Sequence, residues 1–462
     1  MFGKNRWLTL SMLLLPGQLA SQVTLDDIRN MPVNSWLQVP GTNLSAVDPC
    51  PTHDCAWTGV EGITGIHSYS GAVLDTKRNR YVCFGGGHDA YYGNEVYAFA
   101  IDELKWYRLT DPSDPIVKFT EKYADGNPTS RHTYNGLAYI THADRMMALG
   151  GSGAGGGCGC ALTWTFDFGR NQWFDMQPAG PLPAPECDDL MAYDPVGKKI
   201  WWAEGHISGG TERWGLYSYD FDRNAWTHVD PDNGYTRQIA VVDPKRRLLV
   251  IVGGDGYGGQ YWVIAYDLAS ADVKASRQVW TTTGATGLIS DYYKGLEYDP
   301  VADKYVGIGG NGTVYALDPD TKVWTSCTPA GTKPDMSWLA GIYGLWRYVP
   351  SVNAYIFETH AKRDVSFYKF TAGGGTALEQ SSMQAPAQRI IAQPNPFRTS
   401  ITLRTQGSGP ASVYDLKGRL VARLNPDKGA YQWRPSGMTP GIYVVKIRFN
   451  GTILSEKILL AR

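Results

Sequence analysis

The sequence predicts an all-β protein built from repeated units of four short strands. Of its 462 residues, 53 are glycine, 12% are aromatic and 19% are charged, a composition that favours strands and turns over helices. Apolar runs end in glycine pairs at Gly85-Gly86, Gly150-Gly151, Gly253-Gly254 and Gly309-Gly310. Later in each unit comes a tryptophan, and these recur 44 to 67 residues apart at Trp106, Trp173, Trp226, Trp280 and Trp324. The chain therefore repeats one structural unit.

The N-terminus predicts a secretory signal peptide over residues 1–21. Lys4 and Arg6 precede an apolar segment, and the small residues Ala20 and Ser21 lie near the expected cleavage point. That segment is too short to cross a membrane, and no other apolar run is long enough to do so. With a net charge of −1, the chain also lacks the excess of positive charge that is typical of nucleic-acid-binding proteins. We expect an exported protein.

Seven cysteines in an exported chain permit disulfides but leave at least one sulfur over. Cys50 and Cys55 are the favoured pair, because a proline-containing loop brings them together. Cys158 and Cys160 are too close for a relaxed mutual bridge, so we expect either to pair with Cys187 or another distant cysteine. A structural metal at Cys158 and Cys160 stays open, although two thiolates do not make a zinc site.

Residues 22–370 are predicted to form a β-propeller. Each unit holds four strands, with glycine closing the second and tryptophan in the fourth, and this pattern resembles the kelch family. The last unit lacks its tryptophan strand, and the segment around Trp36 supplies one, so we expect the N-terminal strand to complete the last blade. Six blades result. A seventh is left open by the segment "PCPTHDCAWTGVEGITG" and by residues 110–130.

Beyond the propeller, a polar linker over residues 371–390 leads to a predicted β-sandwich over residues 391–462. Its motifs resemble the C-terminal sorting domain of the type IX secretion system: Pro394-Asn395-Pro396-Phe397, Val413-Tyr414-Asp415-Leu416, Gly441-Ile442-Tyr443 and the final Lys457 to Arg462. The resemblance implies the outer-membrane secretion machinery as a partner, and a product that is released or held at the cell surface. An Ig-like accessory module is the alternative.

Chemistry is expected on one face of the propeller. Residues before each first strand and after each second strand meet around the central channel, where propellers bind ligands. Five of the eight histidines fall in these segments: His67, His88, His132, His206 and His360. Polar residues are also common in loops for structural reasons, so a single histidine there is weak evidence of function. The five histidines together favour a binding or catalytic face.

Two sets of side chains are candidates for this face. Catalytic roles are predicted for His67, His88, His132, Tyr134 and Arg131. Substrate contacts are predicted for Tyr91, Tyr92, His206, Arg213, Tyr235, Arg237, Tyr257, Tyr292 and His360. Arginine suits carboxylates, tyrosine rings suit the apolar faces of sugars, and histidine or tyrosine transfers protons. An acidic polysaccharide is the partner these groups fit.

In architecture and residue content the chain resembles propeller-type polyuronate lyases, among them ulvan lyases. The resemblance implies β-elimination, in which arginine or histidine neutralises the uronate carboxylate and histidine or tyrosine moves protons, with no cofactor required. A non-catalytic propeller that binds glycan or protein is one alternative. A copper-radical oxidase of the galactose oxidase type is another, which needs a tyrosine crosslinked to cysteine and for which Cys83 and Cys187 are candidates.

Overall fold

The structure is a computed structural model that describes residues 23–50, 55, 57, 59–184, 187–203, 215–231, 238–254, 261–337, 339–372, 391–393, 397–404, 410–415, 419–426, 430–449 and 452–461. The predicted signal peptide lies outside these residues. The chain divides into two compact units, residues 1–376 and residues 377–462, and each is described by itself.

Helices are few and short. The α-helix α1 spans Leu25–Asn30, and Thr24 caps it through a reciprocal pair of bonds with Asp27. Four 3₁₀-helices span Leu44–Val47, Gly62–His67, Thr286–Leu288 and Tyr343–Leu345. Among the described residues no helix has the length and apolarity needed to cross a membrane.

In the described residues, the first unit contains six main sheets of mostly antiparallel strands, which are numbered along the chain. The N-terminal strand and the first three sheets comprise β1 (Ser35–Gln38), β2 (Ala72–Asp75), β3 (Arg80–Cys83), β4 (Tyr97–Ala100), β5 (Lys105–Arg108), β6 (Arg131–His132), β7 (Leu137–Ile140), β8 (Arg145–Ala148), β9 (Ser152–Gly153), β10 (Trp164–Asp167), β11 (Gln172–Asp175), β12 (Leu190–Asp194), β13 (Lys199–Ala203), β14 (Leu216–Asp220) and β15 (Ala225–Asp230). The other three sheets comprise β16 (Ile239–Asp243), β17 (Leu248–Gly254), β18 (Tyr261–Asp267), β19 (Gln278–Trp280), β20 (Thr283–Gly284), β21 (Gly295–Asp299), β22 (Lys304–Ile308), β23 (Val314–Leu317), β24 (Val323–Cys327), β25 (Arg347–Val349), β26 (Ala354–Phe357) and β27 (Ser366–Lys369).

Sheets 1 to 6 are β2-β3-β4-β5, β7-β8-β10-β11, β12-β13-β14-β15, β16-β17-β18-β19, β21-β22-β23-β24 and β25-β26-β27-β1. In sheet 6, β1 pairs with β27, so that Trp36 lies opposite Tyr368. The strand β20 adds to sheet 5 in parallel with β24, and β6 pairs separately with β9. This all-β arrangement is consistent with a β-propeller-like fold.

The first strands of the six sheets lie next to one another. In chain order, β2 contacts β7, β7 contacts β12, β12 contacts β16 and β16 contacts β21, while β25 contacts both β21 and β2. A cavity of about 300 Å³ is lined by residues from all six of these strands. The first strands therefore surround one central space.

Charged and phenolic side chains join neighbouring sheets at the turns that follow the first strands. The Arg78 guanidinium of sheet 1 donates to both carboxylate oxygens of Asp144 in sheet 2, at 2.7 and 2.8 Å. The Tyr305 hydroxyl of sheet 5 donates to the buried Asp243 of sheet 4 at 2.9 Å. Such bonds fix one sheet against the next.

Four of the five repeat tryptophans are buried. Trp106, Trp173, Trp226 and Trp324 are each at most 5% exposed, whereas Trp280 in β19 is only partly buried. Each of the four packs with aromatic or aliphatic residues of its own and a neighbouring sheet, and Trp106 also donates its indole N–H to the Thr42 carbonyl at 2.9 Å. Large aromatic side chains of this kind bury extensive apolar area, so they help to hold neighbouring sheets together.

The second unit consists of two small sheets. They are formed by β28 (Ile391–Gln393), β29 (Ile401–Arg404), β30 (Ala411–Asp415), β31 (Leu420–Leu424), β32 (Ala430–Trp433), β33 (Gly441–Phe449) and β34 (Thr452–Leu460). Their orders are β28-β29-β32 and β31-β30-β33-β34. Phe397, Trp433 and Tyr443 lie in one buried cluster with aliphatic residues of both sheets, which gives the unit its own core.

Two disulfides join the cysteines as the sequence favours. Cys50 is bonded to Cys55, and Cys158 is bonded to Cys187 with a Cα–Cα distance of 5.2 Å. Because Cys158 is in a disulfide, the pair Cys158 and Cys160 does not supply two thiolates to a metal. Cys83, Cys160 and Cys327 remain free thiols.

Candidate functional site

Five aromatic rings from sheets 1, 2 and 6 meet near the start of the first strands. The ion pairs between sheets lie at the other end of these strands. We call Tyr69, His88, His132, Tyr134 and Tyr343 the aromatic cluster. Tyr69 and Tyr134 each stand three residues before a first strand, β2 or β7, and Tyr343 begins the 3₁₀-helix before β25. Equivalent positions of different sheets thus bring tyrosines together.

Ring contacts in the cluster are continuous. The His88 and His132 rings stack with centroids 5.7 Å apart and an interplanar angle of 21°. Tyr69 lies 5.0 Å from His132 and 5.9 Å from Tyr134. Tyr134 meets Tyr343 edge to face at 5.4 Å. One aromatic surface therefore extends from the first sheet to the sixth.

The backbone at these positions is strained. Tyr69, His88, Tyr134 and Tyr343 have φ values of 48°, 45°, 45° and 44°, in the left-handed region that bulky side chains rarely adopt. Asp188, whose carboxylate Oδ1 accepts from the Tyr343 hydroxyl at 3.4 Å, has φ 62°. Strain of about 1–3 kcal/mol per residue persists where surrounding structure imposes it, and it is concentrated at functional sites.

Gly87 explains how His88 reaches the cluster. It has φ 79°, and a Cβ on it would lie 2.2 Å from the Ser152 carbonyl oxygen. The loop between β3 and β4 can therefore press against the β6–β9 ribbon, where the His88 N–H donates to the Gly153 carbonyl at 3.0 Å. This approach places the His88 ring on His132.

Burial keeps most of the cluster uncharged at neutral pH. Burial, and then the neighbouring His88, lower the pKa of His132 to about 3. Burial, followed by the charge of Asp188, raises the pKa of Tyr134 and of Tyr343. Burial also raises the pKa of Tyr69, with Tyr293 as the second cause. Neutral imidazole and protonated phenols are thus the forms present.

His88 differs from the other members of the cluster because it is exposed. Its side chain is 53% exposed, and its Nδ1 lies 3.6 Å from the Asp89 carboxylate. Asp89 in turn accepts from the Tyr92 hydroxyl at 2.9 Å. The Asp89 carboxylate therefore lies beside an imidazole that solvent can reach.

The Cys158–Cys187 disulfide lies beside the cluster. The Tyr134 hydroxyl donates to Cys187 Sγ at 3.2 Å, and the Ser152 hydroxyl lies 3.1 Å from the same sulfur. The bridge joins the loop between β8 and β10 of sheet 2 to the segment before sheet 3. Because Cys187 is oxidised here, it is not available for the tyrosine crosslink that a copper-radical oxidase needs.

Three predicted site residues outside the aromatic cluster are buried and contact other protein groups. His67 is 3% exposed and contacts Cys83 and Glu358. Arg131 is 0% exposed, with its guanidinium near the Gly150 carbonyl and Glu121. Tyr91 is buried and donates to Glu95 at 2.9 Å. In this conformation none of the three reaches a dissolved polymer.

The other predicted residues divide into two groups. Tyr92 is mostly buried beneath the Lys118 ammonium, while Tyr292 and His360 are half-buried. Tyr292 contributes to the raised pKa of Tyr134, which places it near the cluster. Five predicted side chains lie outside the described residues: His206, Arg213, Tyr235, Arg237 and Tyr257.

Sequence analysis missed Tyr343 and did not select Asp188 or Asp89. The signal for Tyr343 is a tyrosine shortly before a glycine and a first strand, as in "SYSG" and "TYNG". Asp188 holds the corresponding place in "CDDL" before β12. Aligning those segments, instead of searching for histidine and arginine, identifies both.

Comparison with solved structures finds several similar proteins, each 11% identical to this chain. PorZ, an essential surface component of the type IX secretion system of Porphyromonas gingivalis, matches 87% of this chain with a TM-score of 0.41. YjhT matches 65% of this chain and 94% of its own length, with a TM-score of 0.45. A nidogen/laminin complex matches 56% of this chain and 80% of its own length, with a TM-score of 0.37. The present chain spans 60% of the length of PorZ.

Comparison with family models identifies the second unit. Residues 392–461 match the secretion system C-terminal sorting domain. No curated protein matches the chain. The second unit is therefore a type IX secretion sorting domain, which implies interaction with that secretion machinery and a secreted or surface location. The sequence prediction of this domain and of its destination is confirmed.

Proposed function

We propose that the first unit is a six-bladed, kelch-type β-propeller acting on a carbohydrate. Six sheets, the cyclic contacts of their first strands and the cavity shared by those strands support this architecture. Pairing of β1 with β27 joins the two ends of the unit, which removes an open sheet edge. In such a ring, the aromatic cluster lies on the face that carries the ligand.

The proposed activity is cleavage of a uronic-acid polymer by β-elimination. The observation that carries it is the stacking of an exposed histidine, His88, on a neutral histidine, His132, with the Tyr134 hydroxyl one ring away. Aromatic rings bind the apolar faces of sugars, and an accessible imidazole beside a carboxylate is suited to proton abstraction. The cluster combines both features.

In this mechanism His88 is the base. It takes the proton from C5 of the uronate, the C5–H electrons form the C4–C5 double bond, and the C4–O bond to the leaving sugar breaks. The leaving oxygen needs a proton. Tyr69 or Tyr134 supplies it, because their raised pKa values keep both phenols protonated and therefore make them donors in the ground state. After the product leaves, His88 releases its proton to solvent and the phenol takes up a proton from solvent.

The uronate carboxylate needs a neutralising partner, which Arg131 cannot be while its guanidinium is buried. Arg213 and Arg237 remain predictions for that role. His132 is held neutral, so it serves as a hydrogen-bonding and stacking partner of His88 and does not supply positive charge. The proposal therefore assigns proton transfer to the aromatic cluster. It assigns neutralisation of the uronate carboxylate to the loops of sheets 3 and 4.

The test is an assay on the purified mature chain. It is incubated with ulvan, alginate, pectin and glycosaminoglycans, while the ultraviolet absorbance of the unsaturated uronate is followed. We expect product from at least one polymer. Absence of product from all four, with a protein whose circular dichroism shows a folded β structure, would overturn the lyase proposal.

A non-catalytic glycan-binding propeller is the second candidate, favoured by the rigidity of the cluster. Three of its rings are at most 7% exposed, and the Tyr134 hydroxyl is already bonded to Cys187. Affinity electrophoresis in gels that contain each polymer separates the two proposals. Retardation without product supports binding alone, whereas retardation with product supports the lyase.

A further inference from the structure

A second cluster of chemically reactive side chains lies in the interior, where sheets 1 and 6 meet. His67 Nε2 lies 3.1 Å from Glu358 Oε2 and 3.7 Å from Cys83 Sγ. These three atoms all lie within 4.8 Å of one another. His67 is 3% exposed, Glu358 is 0% exposed and Cys83 is 1% exposed. An imidazole, a thiol and a carboxyl group thus share one buried space.

Three separate elements bring these side chains together. His67 is the last residue of the 3₁₀-helix Gly62–His67, Cys83 is the last residue of β3, and Glu358 directly follows β26. The Leu44 N–H donates to Glu358 Oε1 at 3.4 Å. The cluster is therefore a junction between the two ends of the first unit.

The observed contacts do not satisfy all the hydrogen-bonding groups of His67 and Glu358. Within the described part of the chain, neither His67 Nδ1 nor Glu358 Oε2 has a hydrogen-bond partner, although His67 Nε2 lies 3.1 Å from Glu358 Oε2. A buried carboxylate is costly unless it is paired, hydrogen-bonded or bound to a metal. A histidine ring that approaches both a thiol and a carboxylate through one nitrogen cannot satisfy both fully.

Cys83 adds a second reason to look for a ligand. Exported proteins form disulfides readily, and four of the seven cysteines of this chain do so. Cys83 is one of the three that remain free. It is also the only one of the three whose sulfur lies beside both a histidine and a carboxylate in the described residues.

We propose that His67, Cys83 and Glu358 hold a divalent transition-metal ion, with Zn²⁺ the best fit to one imidazole, one thiolate and one carboxylate. Around tetrahedral zinc, bonds of about 2.0–2.3 Å separate neighbouring donor atoms by roughly 3.3–3.6 Å. The observed separations of 3.1 and 3.7 Å bracket this range. Solvent occupies the remaining coordination position, and the thiol proton is released to solvent on binding.

Such an ion has a structural consequence for the aromatic cluster. It joins His67, two residues before Tyr69, to the end of β3, which leads into the glycine loop that carries His88. It also joins both to sheet 6. Metal binding to the folded chain alone stabilises it by mass action, so removal of the ion loosens the junction that positions Tyr69 and His88.

The experiment uses the full mature chain and measures metal directly. Elemental analysis after dialysis against buffer without chelator should find about one zinc per chain. Chelator-treated protein loaded with Co²⁺ alone should show the charge-transfer absorbance of a cobalt–thiolate bond. The Cys83→Ser variant should lose that band, while the Cys327→Ser variant, which removes a different free thiol, should retain it.

Loss of folding in Cys83→Ser does not prevent the test, because the wild-type chain suffices. Chelation should lower its midpoint of thermal unfolding by about 5 °C or more, and Zn²⁺ should restore it. The proposal is overturned if a folded wild-type chain takes up neither Zn²⁺ nor Co²⁺, or if the cobalt–thiolate band persists in a folded Cys83→Ser variant. The cluster would then be a hydrogen-bonded triad only.

Discussion

The two ends of the six first strands differ in how their polar groups are used. At the end that leads into the second strand, four of the strands finish in a buried aspartate: Asp75, Asp194, Asp243 and Asp299. Each accepts backbone N–H groups of the turn that follows, as in the 2.9 Å bond from Arg246 to Asp243. The same arrangement, a buried aspartate that accepts from the N–H groups of the turn, recurs from sheet to sheet.

At the opposite end, the repeated feature is a tyrosine with positive φ, and its surroundings change from sheet to sheet. Tyr69 meets His132, Tyr134 meets the Cys187 sulfur, and Tyr343 meets Asp188. Repetition with satisfied bonds indicates a structural role, since every sheet needs its turn closed. Varied partners at a repeated position indicate a site, because closing the sheets does not require such variation. Positive φ does not itself distinguish the two ends, since the turns after the first strands also have it, at Asn79, Asp144, Lys198, Arg247, Asp303 and Asn353.

The largest expected effect comes from His88→Ala. If His88 is the base, turnover of the responsive polymer should fall about 10²- to 10⁴-fold, with no change in circular dichroism, because the side chain is exposed. Initial rates from the unsaturated-product absorbance measure this.

The matched control is His142→Ala. His142 lies at the opposite end of sheet 2, where its Nδ1 is 2.7 Å from the Tyr193 hydroxyl. Its loss should leave turnover within a factor of two of wild type, allowing for small shifts at independent sites. Equal losses in the two variants would remove the distinction between the ends.

We expect Asp243→Ala to lower the free energy of unfolding strongly without changing the rate of turnover. This buried carboxylate accepts from the Arg246 N–H, the Arg246 guanidinium and the Tyr305 hydroxyl. Its removal leaves buried donors unpaired, at a cost of about 3–5 kcal/mol in the free energy of unfolding, measured by denaturant titration.

Asp320→Ala is the control for that substitution. Asp320 also pairs with Arg246, but its side chain is 74% exposed, so its loss should cost less than about 1 kcal/mol. A cost for Asp320→Ala that equals the cost for Asp243→Ala would show that burial does not govern the stability of these turns.

Tyr134→Phe tests the proton donor. The ring stays in the cluster while the hydroxyl is removed, so we expect turnover to fall by about 10²-fold, near the lower limit for general acids, since Tyr69 retains its phenol. Tyr139→Phe, which removes a hydroxyl that donates to Asp144 at the opposite end, should lower stability and spare turnover. An unchanged rate in Tyr134→Phe assigns the proton to another group.

Much of this molecule could be predicted from local patterns, and what could not be predicted has one physical cause. The repeat of glycine pairs and tryptophans, the Cys50–Cys55 disulfide and the sorting domain all depend on short-range sequence, whereas the sequence leaves open whether Cys158 or Cys160 pairs with Cys187. The burial of His67 and Arg131 depends instead on partners from distant segments, such as Glu358, which lies in the last sheet. Position in a loop predicts which end of a strand a residue occupies, but not whether neighbouring sheets cover it.

The smallest expected effect is the acid sensitivity of the ion pairs at the turns. Hydrogen bonds from Arg246 lower the pKa of Asp303, so the ionised form stabilises the fold fully above the unfolded pKa of about 3.9 and this contribution is lost as the pH falls below it. We expect Asp303→Asn to reduce stability by about 1 kcal/mol at pH 6 and to flatten its decline between about pH 4 and 3. Parallel curves for variant and wild type would contradict this.

Histidine NMR during a titration with acidic oligosaccharide tests most directly whether the tyrosine end is the ligand-binding end. The chain has eight histidines, which single substitutions assign. The ring resonances of His88 and His132 should move with a common saturation curve, while those of His142 stay fixed. Movement of His142 with His88 and His132 unchanged would place the ligand elsewhere and contradict the account.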